Sequence, residues 1–128
     1  MPDHVFEDDP TISGDERLLR RIHPSHVNWD DSGDPNISSA AFKDPELSVN
    51  LSSVMLETGR VPGDAIRGYA GFGLAAITAA DARSQQQAVA RDPLPEEPAH
   101  GVVYGPKKRG GVSTKLRDAA QWVVIPNR

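Results

Sequence analysis

The sequence predicts an α+β fold: a single small domain with a mostly antiparallel sheet, short helices and a C-terminal amphipathic helix. Its 128 residues are the size of one domain with one modest core. Eleven glycines and eleven prolines indicate many turns and short elements. Short apolar segments with a period of two alternate with short segments of helical period, the pattern of strands interleaved with helices.

The chain is expected to divide into a flexible acidic lead-in, residues 1–15, and a single α+β domain, residues 16–128. The lead-in begins MPDHVFEDDP, which is polar and acidic. A secretory signal needs a basic start and an apolar run, so none is expected here. No segment approaches the roughly 20 apolar residues of a membrane span. We therefore expect a soluble, cytoplasmic protein with no membrane partner.

The first segments of the domain are predicted to be strands separated by a loop. RLLRRIHP, residues 17–24, ends at a proline, which disfavours helix at His23. It is expected to form a strand, or a helical turn running into one. NWDDSGDPN has the composition of a loop. In ELSVNL, Leu47, Val49 and Leu51 alternate with polar residues, which indicates a strand with one solvated face.

The middle of the chain predicts a short helix, two strands and a helical turn between them. PGDAIRGYAG is expected to be a short helix with Asp64 as a possible N-cap and Gly71 as its stop. GLAAITA predicts a buried strand, ADARSQQ a helical turn, and QAVARDPLP another strand. HGVVYG predicts a short strand after the proline-rich connector.

The last segment, GVSTKLRDAAQWVV, is the strongest helix prediction in the chain. Apolar residues recur in it at helical spacing, namely Val112, Leu116, Ala119, Ala120 and Val123. Ser113 or Thr114 lies where a helix cap belongs. Trp122 and, earlier in the chain, Phe42 are expected to be core residues.

Charge and composition exclude several classes of function. The net charge is −4, and eleven acidic residues against four basic ones lie within residues 1–50. A duplex DNA-binding protein is normally basic, so general duplex nucleic-acid binding is not favoured. Because the chain has no cysteine, disulfides, thiolate catalysis and cysteine-ligated zinc are excluded.

The stretch RRIHPSHV is the first candidate ligand-binding region. In an extended chain Arg21 and His23 project to one side, and both donate hydrogen bonds that suit an anionic ligand. His23 and His26 alone are too few to predict a metal site. The alternative is that His23 caps a strand end.

The basic turn GPKKRGGVSTK is the second candidate region. Gly105 and Gly110 have the spacing of a P-loop, but the required Lys-Ser/Thr pair is missing, so nucleotide hydrolysis is not predicted. A helix start with free N–H groups behind basic residues is still a plausible anion site. Its candidate ligands are Lys107, Lys108, Arg109, Ser113 and Thr114. The alternative is a solvated basic turn.

The remaining candidates are Ser38, Ser39 and His100. The two serines offer hydroxyls, although no nucleophile-elbow motif surrounds them. His100 opens a predicted strand, where a histidine often serves only as a cap. The loop around Asp30 lacks the bidentate glutamate that an EF-hand calcium site requires. No catalytic residue, metal or cofactor is predicted.

Several blocks of the chain resemble a group of short, uncharacterised bacterial proteins. These blocks are RRIHPSHV, ISSAAFKDPELSV, GFGLAAITAADAR, DPLPEEPAHGVVYG and STKLRDAAQWV. The resemblance covers residues 17–124 and implies a small bacterial protein without implying an activity. A fainter similarity to ADP-ribosyltransferase-like toxin folds rests on Arg21 or His23 followed by Ser38 and Ser39, and it is analogy at the level of the fold.

Three hypotheses of function follow. The first is a non-enzymatic module that binds an anionic ligand or a protein partner through the basic turn and the face of Arg21 and His23. The second is an enzyme that uses NAD or another nucleotide, with Ser38 shaping its pocket. The third is an immunity or accessory protein of a bacterial gene pair. Its contact would be the acidic N-terminal half. The ligand-binding hypotheses expect positive groups of the first strand and the last helix to meet over a shared hollow.

Overall fold

The computed structural model describes residues 5–107 and 110–127, which form strands, α-helices and short 3-10 helices. The strands are β1 (Arg17–Ile22), β2 (Val27–Trp29), β3 (Pro35–Ile37), β4 (Glu46–Leu51), β5 (Gly73–Thr78), β6 (Ala88–Arg91), β7 (His100–Tyr104) and β8 (Gln121–Val124). The helices are α1 (Ser52–Glu57), α2 (Ala79–Ser84) and α3 (Val112–Ala119), and the 3-10 helices are Pro24–His26, Ser39–Phe42 and Pro62–Ile66. The predicted α+β class is confirmed.

The main sheet has six strands in the order β6-β7-β4-β1-β5-β8, and all of its neighbours are antiparallel. The strands β2 and β3 form a separate antiparallel pair. The segments that the sequence predicted as strands around β1, β4, β5, β6 and β7 all lie in this sheet. Its central strand β1 is the one that RLLRRI forms.

The side chains of β1 alternate between the two faces of the sheet, and the register carries this alternation across its neighbours. Leu18 is paired with Leu51 of β4, and Leu19 is paired with Asn50. Leu18 and Leu51 belong to the main core cluster, whereas Leu19 belongs to a smaller cluster on the other side. We call the side of Leu18 the packed face and the side of Leu19 the open face.

The packed face holds most of the apolar core. The helices α2 and α3, the 3-10 helix Ser39–Phe42 and the β2–β3 pair contribute residues to its cluster. Phe42 and Leu116 are fully buried there, so the expectation that Phe42 is a core residue is confirmed. Trp122 is only partly buried against this core, and its indole Nε1 donates to the carbonyl of Pro35 at 3.1 Å.

The open face is only partly covered. A small apolar cluster that includes Leu19, Met55, Ala65 and Leu74 lies beside α1 and the 3-10 helix Pro62–Ile66. Over β4 and β7 the same face carries Ser48, Asn50 and His100, together with the buried Val102. The open face is therefore the side of the sheet on which polar side chains lie beside a small apolar cluster.

The described part of the lead-in, residues 5–15, is anchored to the edge strand β6. Ile12 is 1% exposed and belongs to the main core. The Asp9 N–H donates to the Val89 carbonyl at 2.8 Å, and the Asp8 carboxylate accepts from the Val89 N–H at 2.9 Å. The same carboxylate pairs with Arg83 at 3.0 Å. Covering a sheet edge in this way protects its unpaired backbone groups.

The C-terminal helix is shorter than predicted, because α3 ends at Ala119 and the last four residues of the expected helix form β8. Ala120 has extended dihedral angles, φ −71° and ψ 141°. Trp122, Val123 and Val124 are residue types that favour strands, and pairing with β5 outweighs their helical spacing. Val123 consequently packs on the open-face cluster.

The PGDAIRGYAG segment forms a 3-10 helix that ends at Ile66, well before the expected stop at Gly71. Asp64 does not occupy the N-cap position. It is the third residue after the cap, Val61, and its Oδ2 accepts from the Val61 N–H at 2.9 Å.

Within the described ranges, every helix is too short or too polar to cross a bilayer.

Candidate functional site

The two central strands of the sheet, β4 and β1, separate toward the C-terminal end of β1. β1 pairs with β5 at six positions, from Arg17 to Ile22, but with β4 only at Leu18 and Leu19. Beyond Leu19 the strands separate and leave a half-enclosed hollow of about 40 Å³. We call this hollow the β1–β4 opening. It is lined by Leu19, Arg20, Arg21, Ser48, Val49, Asn50 and His100.

Four polar residues share the open face around this hollow. Asn50 is paired with Leu19 on one side and with His100 of β7 on the other, so the side chains of all three project from the same face. Arg21 and Ser48 are two residues from Leu19 and Asn50 along their strands and share that face. The register of three strands therefore gathers Arg21, Ser48, Asn50 and His100.

Arg21 is held in place by contacts that leave most of its hydrogen-bonding capacity unused. Its Nε donates to the carbonyl of Ala65 at 2.5 Å. Its guanidinium carbon lies 4.3 Å from the centre of the Tyr69 ring, a cation–π contact. Within the described residues, the two terminal nitrogens have no hydrogen-bond acceptor. They are the pair that binds a carboxylate or a phosphate through two parallel bonds.

His100 is oriented by Asp92, the residue that follows β6. Its Nδ1 lies 2.9 Å from the carbonyl oxygen of Asp92 and 3.2 Å from the Asp92 carboxylate. These contacts fix the ring, and in the described part of the chain Nε2 makes no hydrogen bond, so it remains available to a ligand.

Asn50 connects the opening to an ion pair. It is 4% exposed, and its Nδ2 donates to Glu97 Oε1 at 3.4 Å. Both oxygens of Glu97 accept from Arg60, each at 2.6 Å, and Oε2 also accepts from the Ala99 N–H at 3.0 Å. The bond from Arg60 lowers the pKa of the Glu97 carboxyl, and the same pair raises the pKa of Arg60. Glu97 is thus paired mainly with Arg60, and Arg21 of the opening also contributes to the lowered pKa of its carboxyl.

Arg20 closes the opening from the packed face. Its Nε donates to the carbonyl of Ala41 at 3.2 Å, and its NH1 donates to the carbonyl of Ser48 at 3.1 Å. The Ser48 carbonyl belongs to the part of β4 that has no ladder partner on β1. Burial lowers the pKa of Arg20, against the effect of Asp44, but an arginine stays charged in proteins. Two positive charges from adjacent residues therefore flank the hollow.

The hollow is small, and most of the side chains that line it are polar. One water-sized atom needs roughly 10–15 Å³ of such space, so a hollow of about 40 Å³ takes about three. That is enough for the oxygens of a carboxylate or phosphate group, while the rest of the ligand would stay outside. The guanidinium and amide groups around the hollow are able to donate hydrogen bonds.

His23 lies beyond the opening, where β1 ends. It is the N-cap of the 3-10 helix Pro24–His26, and its Nδ1 accepts from the Ser25 N–H at 3.0 Å. Its exposed ring lies 5.1 Å from that of Phe72 and 6.2 Å from that of His26. The pKa of His26 is lowered by burial and by the nearby His23 and Arg20. His23 is thus both a strand-end cap and part of an exposed group of rings.

Ser38 and Ser39 belong to the packed face. The Ser38 hydroxyl accepts from the Ala40 N–H at 3.2 Å and caps the 3-10 helix that Ser39 begins. That helix places Ala41 and Phe42 in the main core. Ser38 therefore serves the backbone on one side of the sheet, whereas Arg21 projects from the other.

Lys107 is buried, at 3% exposed, and its ammonium group bonds to the backbone. Nζ donates to the carbonyls of Val103 at 3.0 Å, Gly105 at 3.1 Å and Pro45 at 3.3 Å. Burial lowers its pKa to about 8. All three donors of the amine are engaged, so Lys107 ties the loop after β7 to the loop before β4. Lys108 and Arg109 lie outside the described residues.

Ser113 and Thr114 lie in the first turn of α3, and neither caps it. The N-cap is Gly111, whose φ of 68° is in the left-handed region and which offers no side chain. Ser113 is buried and Thr114 is exposed. Because α3 contributes to the core of the packed face, its start does not meet Arg21 over one hollow. The structure instead brings together Arg21 and His100, two residues selected separately from the sequence.

Sequence reasoning considered Ser48 only as one of several hydroxyls, and it did not identify Asn50 or Tyr69. The period of two in ELSVNL placed Ser48 and Asn50 on a solvated face, but Asn50 is buried. Asparagine is uncommon in strands, and that was the available signal. Tyr69 lies in the glycine-rich GYAGFG segment, and only the fold shows that its ring meets Arg21.

Comparison of the chain with protein-family models, with curated proteins and with solved structures gives no match. Within residues 5–107 and 110–127, no group of three or more histidine, aspartate and glutamate side chains is placed to hold a metal ion. What the domain does must therefore be inferred from its own residues.

Proposed function

We propose that this domain is a non-enzymatic binding module that recognises a small ligand through an anionic group, a carboxylate or a phosphate, in the β1–β4 opening. The observation that carries the proposal is the convergence of Arg21, Asn50 and His100 on one half-enclosed hollow where two central strands separate.

The geometry of Arg21 supports binding with little cost of ordering. Its Nε bond to Ala65 and its contact with Tyr69 restrain the side chain before any ligand arrives. A restrained side chain loses less conformational entropy on binding than a mobile one, so more of the interaction energy appears as affinity. The amide of Asn50 is restrained in the same way by its bond to Glu97.

We also propose that the protein is bacterial and acts in the cytoplasm. The bacterial origin rests on the resemblance of several sequence blocks, from RRIHPSHV to STKLRDAAQWV, to short bacterial proteins. A chain of 128 residues without cysteine makes no disulfide and is suited to a reducing compartment.

The proposal is tested by thermal unfolding of the full chain with increasing concentrations of phosphate, methyl phosphate and acetate. A ligand that binds only the folded state stabilises it by RT ln(1 + [L]/Kd), about 2.7 kcal/mol at a hundred times Kd. We expect wild type to be stabilised by at least one of the three anions. Arg21→Gln removes the paired donors and is expected to abolish that stabilisation.

Arg17→Gln is the matched control, because Arg17 is an exposed arginine on the same face of the same strand, outside the lining of the opening. It makes the same change of charge and should leave the ligand-induced shift unchanged. An equal loss in both variants would show non-specific charge attraction and contradict the proposed site. No stabilisation of wild type by any of the anions would also contradict it, and would favour a protein partner.

A further inference from the structure

A row of neighbouring side chains, the Arg21 guanidinium followed by four rings, leads from the β1–β4 opening to the end of β1. Neighbouring members are separated by 4.3 Å between the Arg21 guanidinium and Tyr69, 5.2 Å between Tyr69 and Phe72, 5.1 Å between Phe72 and His23, and 6.2 Å between His23 and His26. We call these five residues the ring row. Arg21 is its first member and also lines the opening.

The ring row is built on a fixed loop. Residues 67–72 turn through Gly68 and Gly71, whose φ angles of 86° and 80° favour glycine. A Cβ on Gly71 would lie 3.3 Å from Pro24 Cγ, so the loop packs closely on the 3-10 helix that follows β1. The backbone N–H of Tyr69 donates to the Ile66 carbonyl at 2.9 Å. The loop that carries Tyr69 and Phe72 is therefore held by a backbone hydrogen bond and by close packing on Pro24.

Exposure and charge distinguish the ring row from core packing. Tyr69 is 42% exposed, and His23 is exposed as well. Arg67 lies in the same loop and forms an ion pair with Asp64, three residues earlier, at 2.7 Å. Arg21, by contrast, lies over the Tyr69 ring and forms no salt bridge with the described residues. An exposed aromatic ring beside such a guanidinium is the combination that stacks flat anionic ligands.

We propose that the ligand is an anion that carries a flat unsaturated ring, a nucleotide or an aryl phosphate or carboxylate, with its acidic group in the β1–β4 opening and its ring on Tyr69. This inference rests on the proposed function and adds the class of ligand to it. Arg21 lies against one face of Tyr69 and also lines the opening, so a single side chain joins the two proposed contacts of the ligand. The nucleotide and the simple aryl anion share this chemistry, and the experiment separates them.

The experiment is isothermal titration of the full chain with matched pairs of anions that differ in a ring. The pairs are phenyl phosphate with methyl phosphate, adenosine monophosphate with ribose 5-phosphate, and benzoate with acetate. Stacking on an aromatic side chain is worth roughly tenfold or more in affinity. We expect the ring-bearing member of at least one pair to bind about tenfold more tightly, and that pair identifies the nucleotide or the aryl anion as the source.

Tyr69→Leu should reduce that ratio to about one while weak binding of the ring-free anion persists. Tyr69→Phe keeps a ring without the hydroxyl and should retain the preference, which controls for damage to the loop. Tyr104→Leu removes a ring at the far end of β7, where Tyr104 contacts Phe6, and should leave the ratio unchanged.

Three contrary results are distinguishable. Equal affinities within every pair, together with binding that Arg21→Gln abolishes, would overturn the ring inference and leave the anion site standing. A ring preference that survives in Tyr69→Leu would overturn the role of Tyr69. An absence of any binding that depends on Arg21 would overturn the proposed function itself.

Discussion

Glu97 is the residue whose charge most directly organises the surroundings of the β1–β4 opening. Arg60 holds its carboxylate through two short bonds, and Asn50 reaches the same oxygen from the wall of the opening. The ion pair thus does more than join two loops, because it restrains an amide that faces the proposed ligand. The paired carboxylate also makes the stability of the fold depend on pH.

The bond from Arg60 keeps the pKa of Glu97 below its ordinary value of 4.5, so the folded state releases this proton more readily than the unfolded state. The resulting stability is fully present above about pH 4.5 and is lost as the pH falls through the lower native pKa. Urea unfolding from about pH 6 to about pH 3 should show the advantage of wild type over Glu97→Gln shrinking across this window.

Glu96→Gln serves as the control for Glu97→Gln, since Glu96 is the exposed neighbour. Its free energy of unfolding should follow that of wild type at every pH. A difference between wild type and Glu97→Gln that stays constant down to the lowest pH would show that the native pKa of Glu97 is not lowered.

Individual residue roles were only partly predictable, and Lys107 shows why. A run of basic residues between glycines indicates a solvated turn or an anion site, and nothing local shows that one amine is buried. The three carbonyls that bind Lys107 come from Pro45, Val103 and Gly105, and Pro45 is 62 residues away in sequence. Arg21 and His100 were identified because arginine and histidine near strand ends are chemically distinctive. Their proximity depends on β4, which lies between them in the sheet.

Among the elements, the lead-in behaves least as its composition suggests. Most of its side chains are polar, but one apolar residue, Ile12, enters the main core, and two aspartates bind the edge strand β6. Composition averages over the segment and therefore misses a single anchoring residue. The strand β4 was predictable because its apolar residues alternate, and β5 because it is a short continuous apolar run. The strand β8 was not, because its pairing with β5 overrides a helical pattern.

The anchoring of the lead-in gives a direct prediction. Ile12→Ala removes a side chain that is 1% exposed, and large-to-small substitutions of this kind cost about 2–5 kcal/mol. Chemical denaturation should show this loss in the free energy of unfolding. Val5→Ala, at a position 64% exposed in the same segment, should change it by less than about 0.5 kcal/mol. Equal, small effects of the two substitutions would mean that the lead-in is not part of the core.

For the whole molecule, the consequence of the fold is that the two faces of one sheet differ: one holds the main core, and the other carries the β1–β4 opening. The packed face uses Phe42, Leu116 and the other core residues to hold α2, α3 and the β2–β3 pair. The open face is covered only in part, and the separation of β1 from β4 exposes polar groups in the middle of the sheet. The sequence predicted the antiparallel sheet, but the two-residue register between β1 and β4 depends on contacts across the whole chain.

The central claim, that an anion binds in the β1–β4 opening, is tested most directly by a titration of isotope-labelled wild-type protein with phosphate, followed by NMR. We expect the resonances of Arg21, Asn50 and His100 to shift together along one binding curve, while those of Arg17 stay unchanged. Shifts confined to the start of α3, from Gly111 to Thr114, or no saturable shifts at all, would contradict the assignment of the site.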